Sequence, residues 1–375
     1  AAARRGQAAS VVYPQVNATA GASWTEAVSA ATGDSQRATL TSVQGTVSQL
    51  IADFGRTSAG IDRAGGLADA AAEAARSSRV EVVFAANVAY FNVLRAEAAL
   101  GVARETVRQR ETLQRQAQAF FDTGLKARID VVRAEANLYQ ARADVAGAEH
   151  DVHTSRLVLL NAIGIDAPAD FELAGAPAVA EAAGTLEDWQ READERHPDL
   201  VSLRLEVIAA RSAVLAARRG DNPTVTANGR LGFSGEDAPT DRGWSIGAQV
   251  AVPVFNGLLT RRQTDEAKAL LASTEFALAN RRREIRLLVE QADRSLRDAA
   301  EQLAAREKER EAFAENLRLA TGRYEAGAGD IIEMIDAQLQ MTSAETNVVQ
   351  ARFDRAVGLA ALYRALGRFP AADGS

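Results

Sequence analysis

Glu333 and Asp336 stand three residues apart, so on a helix both carboxylates project from one face. Such a pair can attract cations and repel anions. At a helix start it can also serve the helix itself. Asp330-x-x-Glu333 has the form of a capping pair, and acidic side chains favour the N-terminal end of the helix dipole. Both roles are open for Glu333. Asp336 lies one turn further in, where capping explains it less well. His150 and His153, flanked by Glu149 and Asp151, have the spacing of a zinc-binding pair. Their counterparts in the second half of the chain are Phe353 and Ala356, so no metal site is expected. Gly-x-Ser-x-Gly, phosphate-loop and zincin motifs are missing, and the serines lack a plausible histidine partner. We therefore expect no catalytic residues, no enzyme activity and no cofactor.

The counterpart positions come from an internal repeat. Residues 89–164 and 292–367 keep one register: Ala89/Ala292, Gly124/Gly327 and Gly164/Gly367 are each separated by 203 positions. Around the middle glycine, Phe120-Phe121-Asp122-Thr123-Gly124 matches Arg323-Tyr324-Glu325-Ala326-Gly327, and Ile129-Asp130-Val131 matches Ile332-Glu333-Met334. The chain is thus a tandem of two long units. Ala2-Ala3-Arg4-Arg5-Gly6 also resembles Ala216-Ala217-Arg218-Arg219-Gly220, each ahead of a proline-containing strand at Pro14 or Pro223. The second copy carries a helical stretch upstream, from His197 to Ala213, and the first does not; a truncated N-terminal helix is the expectation.

Composition agrees with long helices packed through small side chains: alanine is abundant, aromatic residues make up 5% and charged residues 25%. The formal charge is −7, with no basic excess, so no nucleic-acid partner is expected. The absence of cysteine removes disulfides, thiolate metal sites and cysteine nucleophiles. No apolar run of about 18 residues occurs, so no transmembrane helix is encoded.

Ala89, Val93, Ala96, Leu100, Ala103 and Val107 are spaced four and three alternately, and the pattern resumes at Ala134, Leu138, Ala141, Val145, Ala148 and Val152. The second unit repeats it at Ala292, Leu296, Ala299 and Leu303, then at Ala337, Met341, Ala344, Val348 and Ala351. This is a coiled-coil seam built mainly from small residues. Between Gly55 and Gly124, and between Gly257 and Gly327, no proline interrupts. Each stretch predicts a helix on the order of 100 Å at ~1.5 Å per residue. Return helices follow over about Lys126–Gly164 and Asp330–Gly367. Such hairpins need lateral neighbours, and self-association is expected.

Four segments alternate with period two instead. Val16, Ala18, Ala20, Ala22 and Trp24 share one face, as do Val225, Ala227, Gly229, Leu231 and Phe233, and Trp244, Ile246, Ala248, Val250, Val252 and Val254. A fourth, less regular strand is expected over about Thr39–Phe54, with turns over Thr25–Arg37 and Ser234–Arg242. Each run is close to the ~9–11 residues a tilted strand needs to cross a bilayer, and Trp24 and Trp244 sit near run ends, where interfacial aromatics belong. A minimal membrane barrel takes about eight strands, so several chains must contribute to one.

This order of strand pair, long helix, glycine tip, return helix and final Leu-x-x-x-x-Gly, used twice, resembles the TolC family of outer-membrane channel proteins. The likeness is carried by Ala89-Tyr90-Phe91-Asn92-Val93-Leu94-Arg95-Ala96, by Gly243–Gly247 leading to Val252-Pro253-Val254-Phe255-Asn256-Gly257, by Arg323–Gly327, by Ile335-Asp336-Ala337-Gln338, and by Leu362–Gly367. It implies a mixed α and β fold: a trimeric channel in the Gram-negative outer membrane, with four strands per chain in one shared twelve-stranded barrel and a long helical coiled-coil tunnel extending into the periplasm. It divides the chain into a first repeat over 1–164, an equatorial linker region over 165–196, a second repeat over 197–367 and a C-terminal tail over 368–375. The implied partners are two further copies, outer-membrane lipid, a periplasmic adaptor protein and an inner-membrane pump, either an efflux transporter or an ABC exporter.

The same likeness gives residues roles. In a trimer Glu333 and Asp336 would form two stacked carboxylate rings that constrict the periplasmic entrance and bias it towards cations. Tyr324 and Asp130 match residues that tie the second helix pair to the first in the closed state. The arginine of that latch falls at Gly329, so Arg128 and Arg133 are expected to supply substitute contacts to Asp336 or Glu333. Thr123-Gly124-Leu125 and Ala326-Gly327-Ala328 match the tips that receive the adaptor, although a helix-to-helix turn needs glycine there for positive φ in any case. The function implied is a passive outer-membrane exit duct for drug or metal efflux or for type I protein secretion. The alternative is a soluble oligomeric coiled-coil scaffold with a β cap.

Overall fold

Four strands form one antiparallel sheet in the order β1-β2-β3-β4: β1 (Gln15–Val28), β2 (Ser35–Ala52), β3 (Thr224–Glu236) and β4 (Asp241–Ala251). This computed structural model describes residues 2–28, 35–173, 175, 184–236 and 238–369; the centre of the expected first turn, 29–34, and most of the C-terminal tail, 370–375, lie outside them. Register carries one apolar row after another across the sheet. Ala18 lies opposite Gly45, Gly45 opposite Leu231, and Leu231 opposite Trp244; Val43 lies opposite Ala20 and Phe233. The other face carries Asn17, Thr46, Arg230 and Ser245 in a comparable row. Alternation thus gives the whole sheet one apolar and one polar face. The apolar face is uncovered, with Ile246 81% and Trp244 72% exposed.

Two boundaries differ from the sequence expectation. β4 stops at Ala251, so Val252 and Val254 lie beyond it, because Pro253 has no N–H to continue the ladder. The second turn is shorter than Ser234–Arg242, since β3 runs on to Glu236 and β4 begins at Asp241. The repeat alignment at the start of the chain is also corrected. α1 (Ala2–Ala9) leads into a single 3₁₀ turn at Ser10–Val12 ahead of Pro14 and β1. The match in the second half is the 3₁₀ turn Arg219–Asp221 ahead of Pro223 and β3. Tyr13 N donates to Ser10 O as Asn222 N donates to Arg219 O, both at 3.1 Å. Gly6 therefore lies inside α1 and is not the counterpart of Gly220; a short run of alanine and arginine is too commonplace to fix register.

The helices follow the glycines. α2 (Arg56–Asp122) and α6 (Leu259–Glu325) each contain 67 residues, and α3 (Arg128–Ile163) and α7 (Ile331–Ala365) return from them. Between the repeats lie α4 (Leu186–Arg196), capped by a reciprocal Thr185–Asp188 box, and α5 (Pro198–Arg218). Part of the expected linker region, 174 and 176–183, is outside the described residues. Asp53 starts α2 by accepting from Gly55 N and Thr57 N at 3.1 and 2.7 Å; 203 positions later Asn256 accepts from Leu259 N at 3.1 Å ahead of α6. Burial works against the charged form of Asp53, but bonds from Thr57, Gly55 and Arg56 outweigh it and hold the carboxyl below its ordinary range.

The chain divides into two compact units, each drawing on both repeats. One comprises residues 1–75 and 198–282: the sheet, α1, α5 and the first parts of α2 and α6. There Gly66 of α2 packs against Ala209 of α5, and Ser202 donates to Ala70 O at 3.0 Å. The other comprises residues 76–197 and 283–375. In it the predicted seam residues Ala89, Val93, Leu100, Ala134, Leu138, Ala141, Ala292, Ala337, Ala344 and Val348 are buried. Three ion pairs run along the α2–α3 seam: Glu97–Arg156, Arg104–Glu149 and Glu111–Arg142, at 2.7, 2.8 and 2.9 Å. The last two are exposed and contribute little each, and packing of the seam carries the hairpin.

Candidate functional site

The two helical tips fold along the same path. Gly124 and Gly327 adopt φ of 72° and 74°. In the first tip Gly124 N donates to Phe121 O and Leu125 N to Phe120 O; in the second Gly327 N donates to Tyr324 O and Ala328 N to Arg323 O, all within 2.8–3.0 Å. Positive φ with this pair of bonds is how glycine closes a helix and satisfies its last carbonyls. Thr123, Gly124, Leu125, Ala326, Gly327 and Ala328 are all exposed, Leu125 to 71%.

Behind the tips the four helices meet in one apolar cluster of Leu113, Ala117, Ala134, Ala320, Tyr324, Ile331, Met334 and Ala337. Ala117/Ala320 and Ala134/Ala337 are repeat counterparts, so both units give the same small residues to the same core. Tyr324 is 0% exposed, with Phe120 edge-on at 5.6 Å between centroids, and its hydroxyl has no hydrogen-bond partner among the described residues. Burial, and then the nearby Asp130 and Asp330 carboxylates, push the phenol above its ordinary pKa. Asp130 is buried too, but no hydrogen bond joins it to Tyr324.

A phenol whose pKa is raised in this way leaves stability independent of pH below its unfolded pKa of about 10 and lowers it as pH rises from there through the higher folded value. Tyr324→Phe should remove this alkaline sensitivity. At neutral pH it should cost nothing or stabilise by up to about 1 kcal/mol, since it deletes an unsatisfied buried hydroxyl rather than a bond. Thermal unfolding at pH 7 and at pH 10.5 checks both; a lower Tm at pH 7 would mean that the hydroxyl has a partner.

Glu333 and Asp336 are exposed on α7. Glu333 lies 3.5 Å from Arg323, on its own hairpin, whereas Asp336 has no ion pair among the described residues. Asp330 makes no side-chain cap bond, so of the two readings open for Glu333 the capping pair is not formed. The expected substitute contacts do not form either. Arg128 is exposed and Arg133 half-buried, and neither has an ion pair among the described residues. Trp24 and Trp244 both lie on the uncovered apolar face, in different rows, with Trp24 opposite Thr39 and Trp244 opposite Leu231.

Sequence reasoning missed the polar links between α2 and α7. Arg364 pairs with Glu81 at 2.8 Å, Thr106 meets Thr342 at 3.2 Å, and Arg110 donates to Gln338 at 2.6 Å. Arg110 is 4% exposed and continues the seam three residues after Val107, a charged residue in an otherwise apolar pattern. Burial lowers its pKa from the ordinary value. Lys126 and Gly329, which join the two tips, were also missed.

The profile of the outer membrane efflux protein family matches residues 1–165 and 189–368. The chain belongs to this family. Protein CyaE of Bordetella pertussis is 29% identical over 97% of this chain and 78% of its own length, and outer membrane protein OprJ of Pseudomonas aeruginosa is 27% identical over 84% and 67%. The solved structure of the outer-membrane channel OprN superposes with a TM-score of 0.85 over 98% of this chain and 84% of that one, at 22% identity, a likeness of fold. As an outer membrane efflux protein the chain resides in the outer membrane and extends into the periplasm, and its family is one of transport channels.

Proposed function

We propose that three copies of this chain close one barrel and form a passive exit duct, fed from a periplasmic adaptor and an energised inner-membrane pump. One observation carries the reading. β1 and β4 are the outer strands of a sheet whose apolar face is uncovered. An unpaired edge in lipid is untenable, because every backbone polar group there needs a partner. β1 and β4 run antiparallel to each other, since three antiparallel steps separate them. Placing β4 of one copy beside β1 of the next therefore continues the pattern without a break. Outer-membrane lipid covers the apolar face. Trp24 and Trp244 serve at its boundaries, where strand tilt lets different rows reach similar depth.

In this reading the exposed tips at Thr123–Leu125 and Ala326–Ala328 receive the adaptor, and Glu333 and Asp336 line the mouth. Asp130, Tyr324, Arg128 and Arg133 surround the part of the tips that must rearrange when the mouth opens. The chain lacks a nucleotide-binding motif, so energy for export is supplied elsewhere. Because the chain has no cysteine, edge pairing is directly testable. A cysteine at Ala20 in β1, scanned against single cysteines from Gly243 to Gln249 in β4, should give oxidised products up to three chains at one register. Products confined to single chains at every position would overturn the shared barrel.

A further inference from the structure

The ends of three helices are knotted together where the sheet gives way to α2 and α6. Arg219 Nη1, just beyond α5, donates to Gly55 O at 2.7 Å, and Thr260 Oγ1 and Asn256 Nδ2 donate to Asp221 Oδ1 at 2.6 and 2.7 Å. The knot gathers four arginines into one rim: Arg56, the first residue of α2, Arg218, the last of α5, and Arg261 and Arg262 in the first turn of α6. All four are exposed, and none has an ion pair or side-chain hydrogen bond among the described residues. The two acids at the knot are already committed, Asp53 to the backbone at the start of α2 and Asp221 to Thr260 and Asn256. Three of the four arginines also stand against the helix dipole, because α2 and α6 begin there with no acid in the first turn. Nothing within the chain balances the rim.

The residues between this rim and the sheet are equally out of place in water. Val254 and Phe255 are 95% and 83% exposed, and Phe54 and Leu258 are exposed as well. Phe54 and Leu258 adopt φ of 54° and 68°, beside Gly55 and Gly257 at 89° and 67°. Left-handed backbone strains a bulky residue where glycine would rest easily. Both repeats thus keep a strained residue whose side chain is not packed inside.

A lipid leaflet accounts for both features. We propose that the rim is a phospholipid-binding collar: Val254, Phe255, Phe54 and Leu258 meet the acyl chains of the leaflet next to the periplasm, and the four arginines hold its phosphate headgroups. The collar rests on the reading of the sheet as the membrane part of the duct. Trp24 and Trp244 stand nearer the other ends of β1 and β4, so they mark the opposite rim. Arginine suits the place because its planar fork bonds two phosphate oxygens while its stem lies along apolar surface. A free anion would balance the charges and leave the apolar residues in water; a lipid satisfies both. An anionic headgroup, which carries no ammonium to compete with the guanidinium, is therefore preferred.

The test places the full chain in phosphatidylcholine vesicles containing a trace of spin-labelled phosphatidylglycerol or spin-labelled phosphatidylcholine, and compares the motionally restricted fraction of each by electron paramagnetic resonance. The parent should favour phosphatidylglycerol about threefold, and 1 M salt should abolish the difference. Glutamine at all four positions (R56Q, R218Q, R261Q and R262Q) should bring the ratio close to one. Each single substitution should remove part of it, so the result does not depend on the fourfold variant folding. Glutamine at the exposed Arg108, Arg115, Arg306 and Arg318, farther along α2 and α6, should leave it unchanged. Equal restriction of both lipids by the parent would overturn the collar. So would a preference that survives the four substitutions; if light scattering then showed the three-chain species lost, the arginines would belong to contacts between copies. If neither lipid were restricted, the barrel reading itself would fall, and the collar with it.

Discussion

Ile246→Arg should abolish assembly in the outer membrane, while Gln249→Arg, three residues along the same strand, should leave it nearly intact. Ile246 is on the uncovered apolar face near the middle of β4, opposite Gly229; Gln249, opposite Thr226, is on the polar face that already carries Arg230. An arginine facing lipid costs up to about 2–4 kcal/mol per chain, more the deeper it lies, whereas the inward face is solvated. Three copies bear the cost at once in the proposed assembly. The measurement is the amount of folded protein recovered from outer membranes, with heat resistance in detergent as the mark of folding. Equal recovery of the two variants would mean that the faces are wrongly assigned. Loss of both would point instead to a general intolerance of charge in β4.

The second large effect concerns ion passage, and the two carboxylates should not contribute equally. Asp336 is unpaired among the described residues, but Arg323 stands 3.5 Å from Glu333 and offsets its charge. Asp336→Ala should therefore weaken block by a multivalent cation roughly tenfold, a change in binding of about 1.4 kcal/mol, and reduce cation selectivity. Glu333→Ala should change each less. Arg323→Ala provides the control in the opposite direction: freeing Glu333 should strengthen cation block. Single-channel recording with a trivalent blocker measures all three. Unchanged currents in Asp336→Ala and Glu333→Ala would show that these side chains do not line the conducting path.

Much of the architecture is legible in the chain because it rests on local rules. Gly124 and Gly327 close their turns at positive φ, as expected of a helix end that needs glycine, and the long proline-free stretches before them are single helices. The small-residue seam through Ala89, Val93, Ala134 and Ala337 is buried because heptad spacing alone fixes a helix face. Period-two alternation placed Trp24, Leu231 and Ile246 on one side of the sheet for the same reason. Where a local rule was misapplied, the error is also local: Pro253 ends β4 before Val254, and the first-repeat start was aligned on alanine and arginine rather than on the prolines that precede both strands.

What the sequence withheld depends on which surfaces meet across some two hundred residues. Arg110 against Gln338 and Lys126 against Gly329 follow from the approach of α2 to α7 and of one tip to the other, which neither repeat encodes by itself. Arg323 was seen only as part of a tip motif, yet its reach to Glu333 decides how much charge that carboxylate presents. Tyr324 is expected at a tie between helix pairs; its ring fills the centre of a cluster drawn from both pairs, while its hydroxyl has no partner among the described residues. A residue type and a spacing identify a candidate site, but the balance of charge within it is set by neighbours that come from elsewhere in the fold.

The central claim is that this chain is an export duct, and planar-bilayer recording of the detergent-purified protein tests it most directly. The account predicts small, discrete, cation-selective conductance steps from a species of three chains, with Asp336→Ala altering the selectivity. A protein that stays in solution without detergent and yields no steps would contradict it.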